Sequence, residues 1–333
     1  EIIMRKLWLL LAIIAVAFMG CADTGTKEVA EEAPQSDSAD AEPLIVGVSI
    51  PAATHGWTGG VNYHAQRTVD ILSEKYPNVE FQLVTAGDAG EQANDLEDLV
   101  QIHQIDALVI LPFESDPLTD PVRAVKDQGP FITVVDRGLT DDSISDLYVA
   151  GNNSEMGRVS AEYIVEQLNG SGDTVVLRGI PTVIDDQRFD AFMEVIEDTD
   201  IEVLDWKYAN WNRDDGYEVM QDFLSRFDSI DAVWAQDDDI AVGVISALEE
   251  VDRQNEMFIV GGAGMKEMIA RVMDGDELVP VDVLYPPAMI STAIELTVSG
   301  LVNNAPIEGE YILGAPLVTP QNAEQYYFPD SPF

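Results

Sequence analysis

The feature that most restricts this chain is a rhythm. Short apolar runs, largely β-branched, are each followed by a stretch with helical periodicity. LIVGVSI (44–50), EFQLVT (80–85), ALVIL (107–111), FITVV (131–135) and LYVA (147–150) have the length and composition of strands. The stretches 59–76, 91–103 and 121–127 between them read as helices. The rhythm then repeats with TVVL (174–177), IEVLDW (201–206), AVWA (232–235), MFIVGG (257–262) and VPVDVL (279–284). Tyr217, Met220, Leu224 and Phe227 share one helical face, as do Ile240, Val244, Leu248 and Val251. Strands that are apolar throughout must be covered on both faces, and parallel neighbours need a helical crossover to connect them. The fold class is therefore α/β, and about ten strands in two sets of five predict two doubly wound parallel-sheet lobes. A (β/α)₈ barrel is the competing architecture. In both, ligands collect outside the carboxyl ends of the strands.

A length of 333 residues with 46% hydrophobic content supports sizeable cores. Against that stands an extreme charge balance: 61 Asp and Glu against 17 Lys and Arg, a formal net charge of -44. Nucleic acid is excluded as a partner, because binding a polyanion requires clustered Lys and Arg to release its counterions. The acids are spread along the chain rather than gathered as for a cationic ligand. This distribution predicts a halophilic acidic surface, where salt screens the self-repulsion.

The first 43 residues have a different composition. Met4, Arg5 and Lys6 precede an uninterrupted apolar run over 7–18, which is too short to span a bilayer comfortably, and Gly20 and Cys21 follow. This is the three-part build of a signal peptide, predicted over 1–20. FMGC (18–21) resembles the lipobox of bacterial lipoproteins, in which the cysteine is lipidated and becomes the mature N-terminus. Residues 21–43 carry many acids and hardly any large apolar side chain, the composition of a disordered acidic tether. With Cys21 as its one cysteine, the body has no internal disulfide.

Polar residues stand where buried strands end. FITVV runs straight into Asp136 and Arg137, which point to opposite faces for as long as the strand continues and so must each reach elsewhere. A strand-end turn accounts for the pair without any ligand. AVWA likewise runs into Gln236 and Asp237 before a helix that opens near Asp238, with Asp238 or Asp239 expected to cap it and Gln236 and Asp237 to face a cleft. No histidine accompanies these acids, and they lack the fuller oxygen spacing of a calcium loop, so no metal is assigned. Three aromatics also follow strands beside polar residues: Trp57 in PAATHGWTGG, with His55 next to it, Trp211 in YANWNRDDG, and Tyr285 in VLYPPAM. Flat apolar faces beside planar hydrogen-bonding groups suit a sugar ring.

On these segments the body, 44–313, resembles the periplasmic sugar-binding proteins of bacterial ABC transporters, in the ribose, galactose and glucose group. VVDRGLT is similar to that family's hinge-side strand, whose Asp-Arg pair binds sugar hydroxyls. AVWAQDDDIAVG resembles its AQND segment, ANWNR its aromatic-bearing loop, and GIPTVIDDQRFDAF its ligand loop and following helix. The resemblance implies a type I fold with three crossings between the lobes, near Ala150, Tyr285 and Leu313. It divides the body into an N-terminal lobe of 44–150 with 286–313 and a C-terminal lobe of 151–285 with 314–333. It implies ligand contacts at His55, Trp57, Asp136, Arg137, Asp186, Arg188, Trp211, Gln236, Asp237 and Tyr285. The chain departs from the ribose-type pattern at Asp186, Asp237 and Ala263, where arginine, asparagine and aspartate are usual.

The function this implies is capture of a monosaccharide, an aldohexose or aldopentose, by a monomeric lipoprotein outside the cytoplasm that delivers it to an ABC permease. No cofactor is needed. Two other readings use the same fold: a cage of acids and aromatics for a cationic amine, against which Arg137 argues, and a sensor that signals through a membrane receptor. An enzyme is disfavoured. GGAGMK (261–266) lacks the spacing of a phosphate loop, no G-x-S-x-G elbow occurs, and His55, His64 and His103 have no metal spacing.

Overall fold

The computed structural model describes residues 42–333 apart from 54 and 306. The predicted signal peptide, Cys21 and nearly all of the tether lie outside the described residues. Among the described residues, no helix is long and apolar enough to cross a membrane.

The first set of strands comprises β1 (Leu44–Pro51), β2 (Val79–Ala86), β3 (Ala107–Ile110), β4 (Phe131–Val135) and β5 (Leu147–Gly151). Between them run α1 (Gly56–Lys75), α2 (Ala89–Gln101) and α3 (Ser115–Lys126). The second half continues with α4 (Asn153–Gln167), β6 (Ser171–Arg178), α5 (Val183–Ile196), β7 (Asp200–Tyr208), α6 (Arg213–Arg226), β8 (Ala232–Ala235), α7 (Asp238–Glu250), β9 (Phe258–Val260) and α8 (Lys266–Asp274). After these come β10 (Asp282–Val283), α9 (Met289–Val302), β11 (Gly309–Leu313) and β12 (Leu317–Val318).

These strands form open sheets, which removes the barrel alternative. One sheet has six parallel strands in the order β11-β5-β4-β3-β1-β2, and another has four in the order β7-β6-β8-β9. Burial on both faces explains the uniformly apolar strands. Leu108 and Ile110 of β3 face a core made with Leu96 and Leu99 of α2 and Leu118 and Val122 of α3, whereas Val109 faces the core shared with Val61, Ala65 and Val69 of α1. Helix starts follow local chemistry: Asp88, Asn152, Thr182 and Asn212 cap α2, α4, α5 and α6, each accepting a backbone N–H of the first turn.

The second set differs from five equal strands. Of the run 279–284 only Asp282 and Val283 form a strand, and they pair antiparallel with β12, while Val281 bridges to Val260. The first sheet gains β11, whose GEYIL is largely exposed and lacks the buried pattern that marks the other strands. Helix α3 begins before Pro121, which lies inside it rather than opening it.

The chain passes from the first sheet to α4 and the second sheet after Gly151, returns to the first with α9, and leaves it again after Leu313 for β12. Helix α9 packs on α1, β4 and β5. The carboxyl ends of β1, β4, β6 and β8 therefore lead into segments that meet at one place.

Candidate functional site

At that place is a tight cavity of about 30 Å³ lined by His55, Trp57, Asp136, Arg137, Ile184, Arg188, Trp211, Asp237, Ala263 and Tyr285. That is room for water-sized guests, so a larger ligand requires the lining to move apart. His55 and Trp57 come from the start of α1, after β1. Asp136 and Arg137 come from the end of β4, Ile184 and Arg188 from α5, Trp211 from the β7–α6 turn, Asp237 from the end of β8, and Ala263 and Tyr285 from segments after β9 and β10.

Asp136 leaves the strand conformation with a φ of 58°. Its carboxylate accepts the Tyr285 hydroxyl at 2.6 Å, and its carbonyl accepts the Tyr148 hydroxyl at 2.6 Å. Arg137 lies with Nε 4.0 Å from the Asp136 carboxylate and donates from Nη1 to the Phe113 carbonyl at 2.7 Å. Among the described residues its buried Nε has no hydrogen-bond partner. Burial, together with the positive charge of Arg137, pushes the His55 imidazole down to about 4, so it is neutral near pH 7.

Arg188 is buried on the opposite side. Its Nε donates to Asn153 Oδ1 at 2.8 Å and Nη1 to the Gln236 carbonyl at 3.2 Å, while its guanidinium lies 4.5 Å from the centre of the Tyr285 ring. Tyr285 is thus occupied on several sides: the hydroxyl serves Asp136, a ring face serves Arg188, and Trp57 lies 6.2 Å away with its Nε1 donating to the Tyr285 carbonyl at 3.0 Å. Gly151 makes this seat possible, since a Cβ there would overlap the Tyr285 ring. Tyr285 therefore braces Asp136 and Arg188 more than it offers a free stacking face.

The acids around α7 divide the work differently from the sequence reading. Asp237, not Asp238 or Asp239, caps the helix by accepting from the Asp239 N–H at 2.8 Å, and it still lines the cavity. Asp238 is fully buried and accepts from the N–H groups of Gly262, Gly264 and Met265, fixing the loop that carries Ala263. Asp239 accepts from Gly56 N at 3.0 Å and Arg213 Nε at 2.6 Å, tying α7 to the start of α1. Burial, reinforced by the Asp239 charge, pushes the Asp237 carboxyl up to about 8. It is largely protonated at neutral pH and can donate as well as accept.

Two expected contacts fall outside the cavity. Asp186 pairs with Arg178 at 2.6 Å on an exposed flank, because residues two apart on a helix face nearly opposite ways and Arg188 takes the inward position. Gln236 is fully buried and contributes its carbonyl to Arg188, and its side chain does not line the cavity. The expectation missed Ile184, Ala263 as a lining residue, and Asn153. Ile184 lies within GIPTVIDDQRFDAF, and Ala263 stands at one of the departures already noted. Among the described residues no group of three or more His, Cys, Asp or Glu is arranged to hold a metal ion.

Two open α/β sheets joined by three crossings, with an aromatic and charged cavity beyond their strand ends, define a two-lobed binding protein. The chain belongs to the family described as periplasmic binding protein domain, which matches residues 46–297, and it is a substrate-binding component rather than an enzyme. It is 24% identical over 242 residues to the ribose import binding protein of Bacillus subtilis, covering 73% of this chain and 77% of that one. To the xylitol-binding protein of Mycolicibacterium smegmatis it is 27% identical over 287 residues, covering 84% and 77%. A solved solute-binding protein from Bacillus halodurans with bound myo-inositol superposes with a TM-score of 0.77 at 24% identity, over 87% of this chain and 99% of that one, a likeness of fold. The fructose-binding periplasmic domain of a hybrid two-component system superposes with a TM-score of 0.74 at 26% identity, over 85% and 92%.

Proposed function

We propose that this protein captures a monosaccharide, an aldohexose or aldopentose, or a related polyol between its lobes and delivers it to an ABC importer. The observation that carries the reading is the composition of this cavity. Asp136, Arg137, Arg188, Asp237 and the neutral His55 supply acceptors and donors, while Trp57 and Trp211 supply apolar walls. Hydroxyl groups, each able to donate and accept, match such a mixed set, and the C–H faces of a ring match the aromatic walls. The ribose and xylitol relatives point the same way. The cationic amine is disfavoured, because two guanidinium groups line the cavity and Asp136 is already engaged by Tyr285.

In this reading 44–150 with 286–313 and 151–285 with 314–333 are the lobes, and ligand stabilises their closed arrangement. The permease recognises that arrangement by its differential contacts. Export and lipidation at Cys21 hold the protein outside the cytoplasm at a membrane. This part rests on the sequence alone, and mass spectrometry of the N-terminal peptide from wild type and Cys21→Ser checks it. Calorimetry with a panel of pentoses, hexoses and cyclic polyols tests the ligand class: saturable binding of at least one supports it, and no binding by any overturns it.

The fructose-binding sensor domain favours one second reading, in which the closed form signals to a membrane receptor. Neighbouring genes for an ATPase and a permease, or for a histidine kinase, separate the two.

A further inference from the structure

Trp211 reaches the cavity by a strained route. Asn210 and Trp211 are consecutive left-handed residues, with φ of 51° and 50°. Asparagine adopts that region readily, but a bulky aromatic does so only at a cost. Strain of this kind persists only where the surroundings enforce it. Here Ala209 N donates to the Arg178 carbonyl at 2.7 Å, Asn210 N to the Gly179 carbonyl at 3.1 Å, and Asn212 N to the Ala209 carbonyl at 3.0 Å, pinning the turn to the end of β6.

The indole then lies directly against Gly179. A Cβ at that position would overlap Nε1, Cε2 and Cζ2 of the ring. Gly179 does not have a positive φ, so a side chain is excluded there by space and not by backbone conformation. The glycine cannot easily retreat either. Its N–H donates to Asp185 Oδ1 at 2.8 Å, and the other oxygen of that fully buried carboxylate accepts from Nε and Nη2 of Arg178 at 2.8 and 2.5 Å. Arg178 is in turn packed against Phe189, Trp206 and Tyr208, with its guanidinium 4.2, 4.7 and 5.0 Å from their ring centres. A rigid brace thus holds the seat of a cavity wall.

We infer that Gly179 is a specificity-determining residue of this site. By letting Trp211 sit back against the end of β6, it sets the cavity width and so decides whether a ring or only a short open-chain polyol is accepted. The inference rests on the polyol reading above and names the size class that the same site selects. A methyl group at 179 moves the indole by roughly 1.5 Å to restore ordinary contact, away from the brace and towards the space the ring walls. In a site this closely lined, that shift takes more room from a broad six-membered ring than from a narrow chain of three or four carbons.

The experiment is calorimetry on wild type, Gly179→Ala, Trp211→Phe and the double variant. The probes are ring ligands (glucose, ribose, myo-inositol) and short polyols (glycerol, erythritol). Gly179→Ala is expected to weaken the ring ligand that wild type binds by at least about 30-fold and the short polyols by less than about threefold. Adding Trp211→Phe is expected to recover at least about tenfold for the ring ligand, because the smaller side chain yields the space back. An equal loss for both classes, or no recovery in the double variant, overturns the inference. If Gly179→Ala does not fold, Trp211→Phe alone decides. With the wider cavity it is expected to accept the methyl glycoside of the bound sugar at least about fivefold better, relative to the parent sugar, than wild type does, and an unchanged ratio overturns the inference. A wild type that binds none of the probes instead overturns the polyol reading, and a crystal structure of Gly179→Ala would still report whether the indole has moved.

Discussion

Asp136 ends β4 with a φ of 58°, and that torsion decides what the two charged residues after the strand can do. Had the chain stayed extended, the side chains of 136 and 137 would diverge. The left-handed step instead brings the carboxylate under the Tyr285 hydroxyl and within 4.0 Å of Arg137 Nε, in an environment where Asp136 is almost wholly buried. Removing one member of such a network leaves the others desolvated and unpaired. Asp136→Ala is expected to weaken ligand binding by about 2–4 kcal/mol in calorimetry, because both Arg137 and the Tyr285 hydroxyl lose a partner. Asp136→Asn tolerates the left-handed conformation and keeps an acceptor for Tyr285, so its loss is expected to be about half as large. Unchanged affinity in the alanine variant would mean that the pair serves only the turn. The opposing positions of Asp186 and Arg188 show the limit of reading such residues in sequence: their segment was legible as a ligand loop, but which of the two faces inward depends on the rotation of α5 against α4.

At the scale of elements, the start of α7 gathers three consecutive acids with three different partners, and β10 adds a fourth. Burial raises Asp238 well above the usual carboxylate range, with the Asp282 charge adding to it, and burial pushes Asp282 up to about 7. Both are fully buried, so near neutral pH the pair retains a proton that the unfolded chain has released. Each carboxyl whose pKa rises on folding adds stability that is fully present below its unfolded value near 4 and is lost as pH climbs through its folded value. For Asp282 and Asp237 that window runs from about 4 to about 7 and about 8. Asp282→Asn carries no titrating proton. It is expected to flatten the fall of Tm between pH 5 and pH 8 and to stabilise the protein by about 2 kcal/mol at pH 8, followed by thermal denaturation across pH. A slope as steep as that of wild type would show that other groups dominate. The strands that alternate with helices were legible because burial on both faces leaves an apolar run. β11 was not, since an exposed edge strand leaves no such trace, and β10 was overextended, since its apolar neighbours pack in the core without pairing in a ladder.

For the whole molecule, the net charge of -44 is the dominant quantity outside the cavity. Exposed like charges repel within a Debye length, about 10 Å at 0.1 M salt and about 3 Å at 1 M. Raising sodium chloride from 0.1 to 2 M is expected to raise Tm by about 5 °C or more at pH 7, and a Tm that falls or stays level would remove the proposed halophilic adaptation. A second expectation concerns shape. Bonds such as Gly56 N to Asp239 and Trp57 Nε1 to the Tyr285 carbonyl join segments of the two sheets around the cavity. A bound ligand is therefore expected to lower the radius of gyration in solution scattering, and identical profiles with and without it would argue against closure.

What the sequence determined by itself was what depends on neighbours along the chain: parallel strands, their helices, the polar strand ends and most of the residues that meet there. Period and local hydrogen bonding carry that information. Only the tertiary structure decided that Asp237 and not Asp238 caps α7, that the Tyr285 hydroxyl holds Asp136, and that Gly179 gives Trp211 its seat. Each of these turns on which atoms from distant segments occupy the same few ångströms, and close packing settles that in three dimensions, not along the chain.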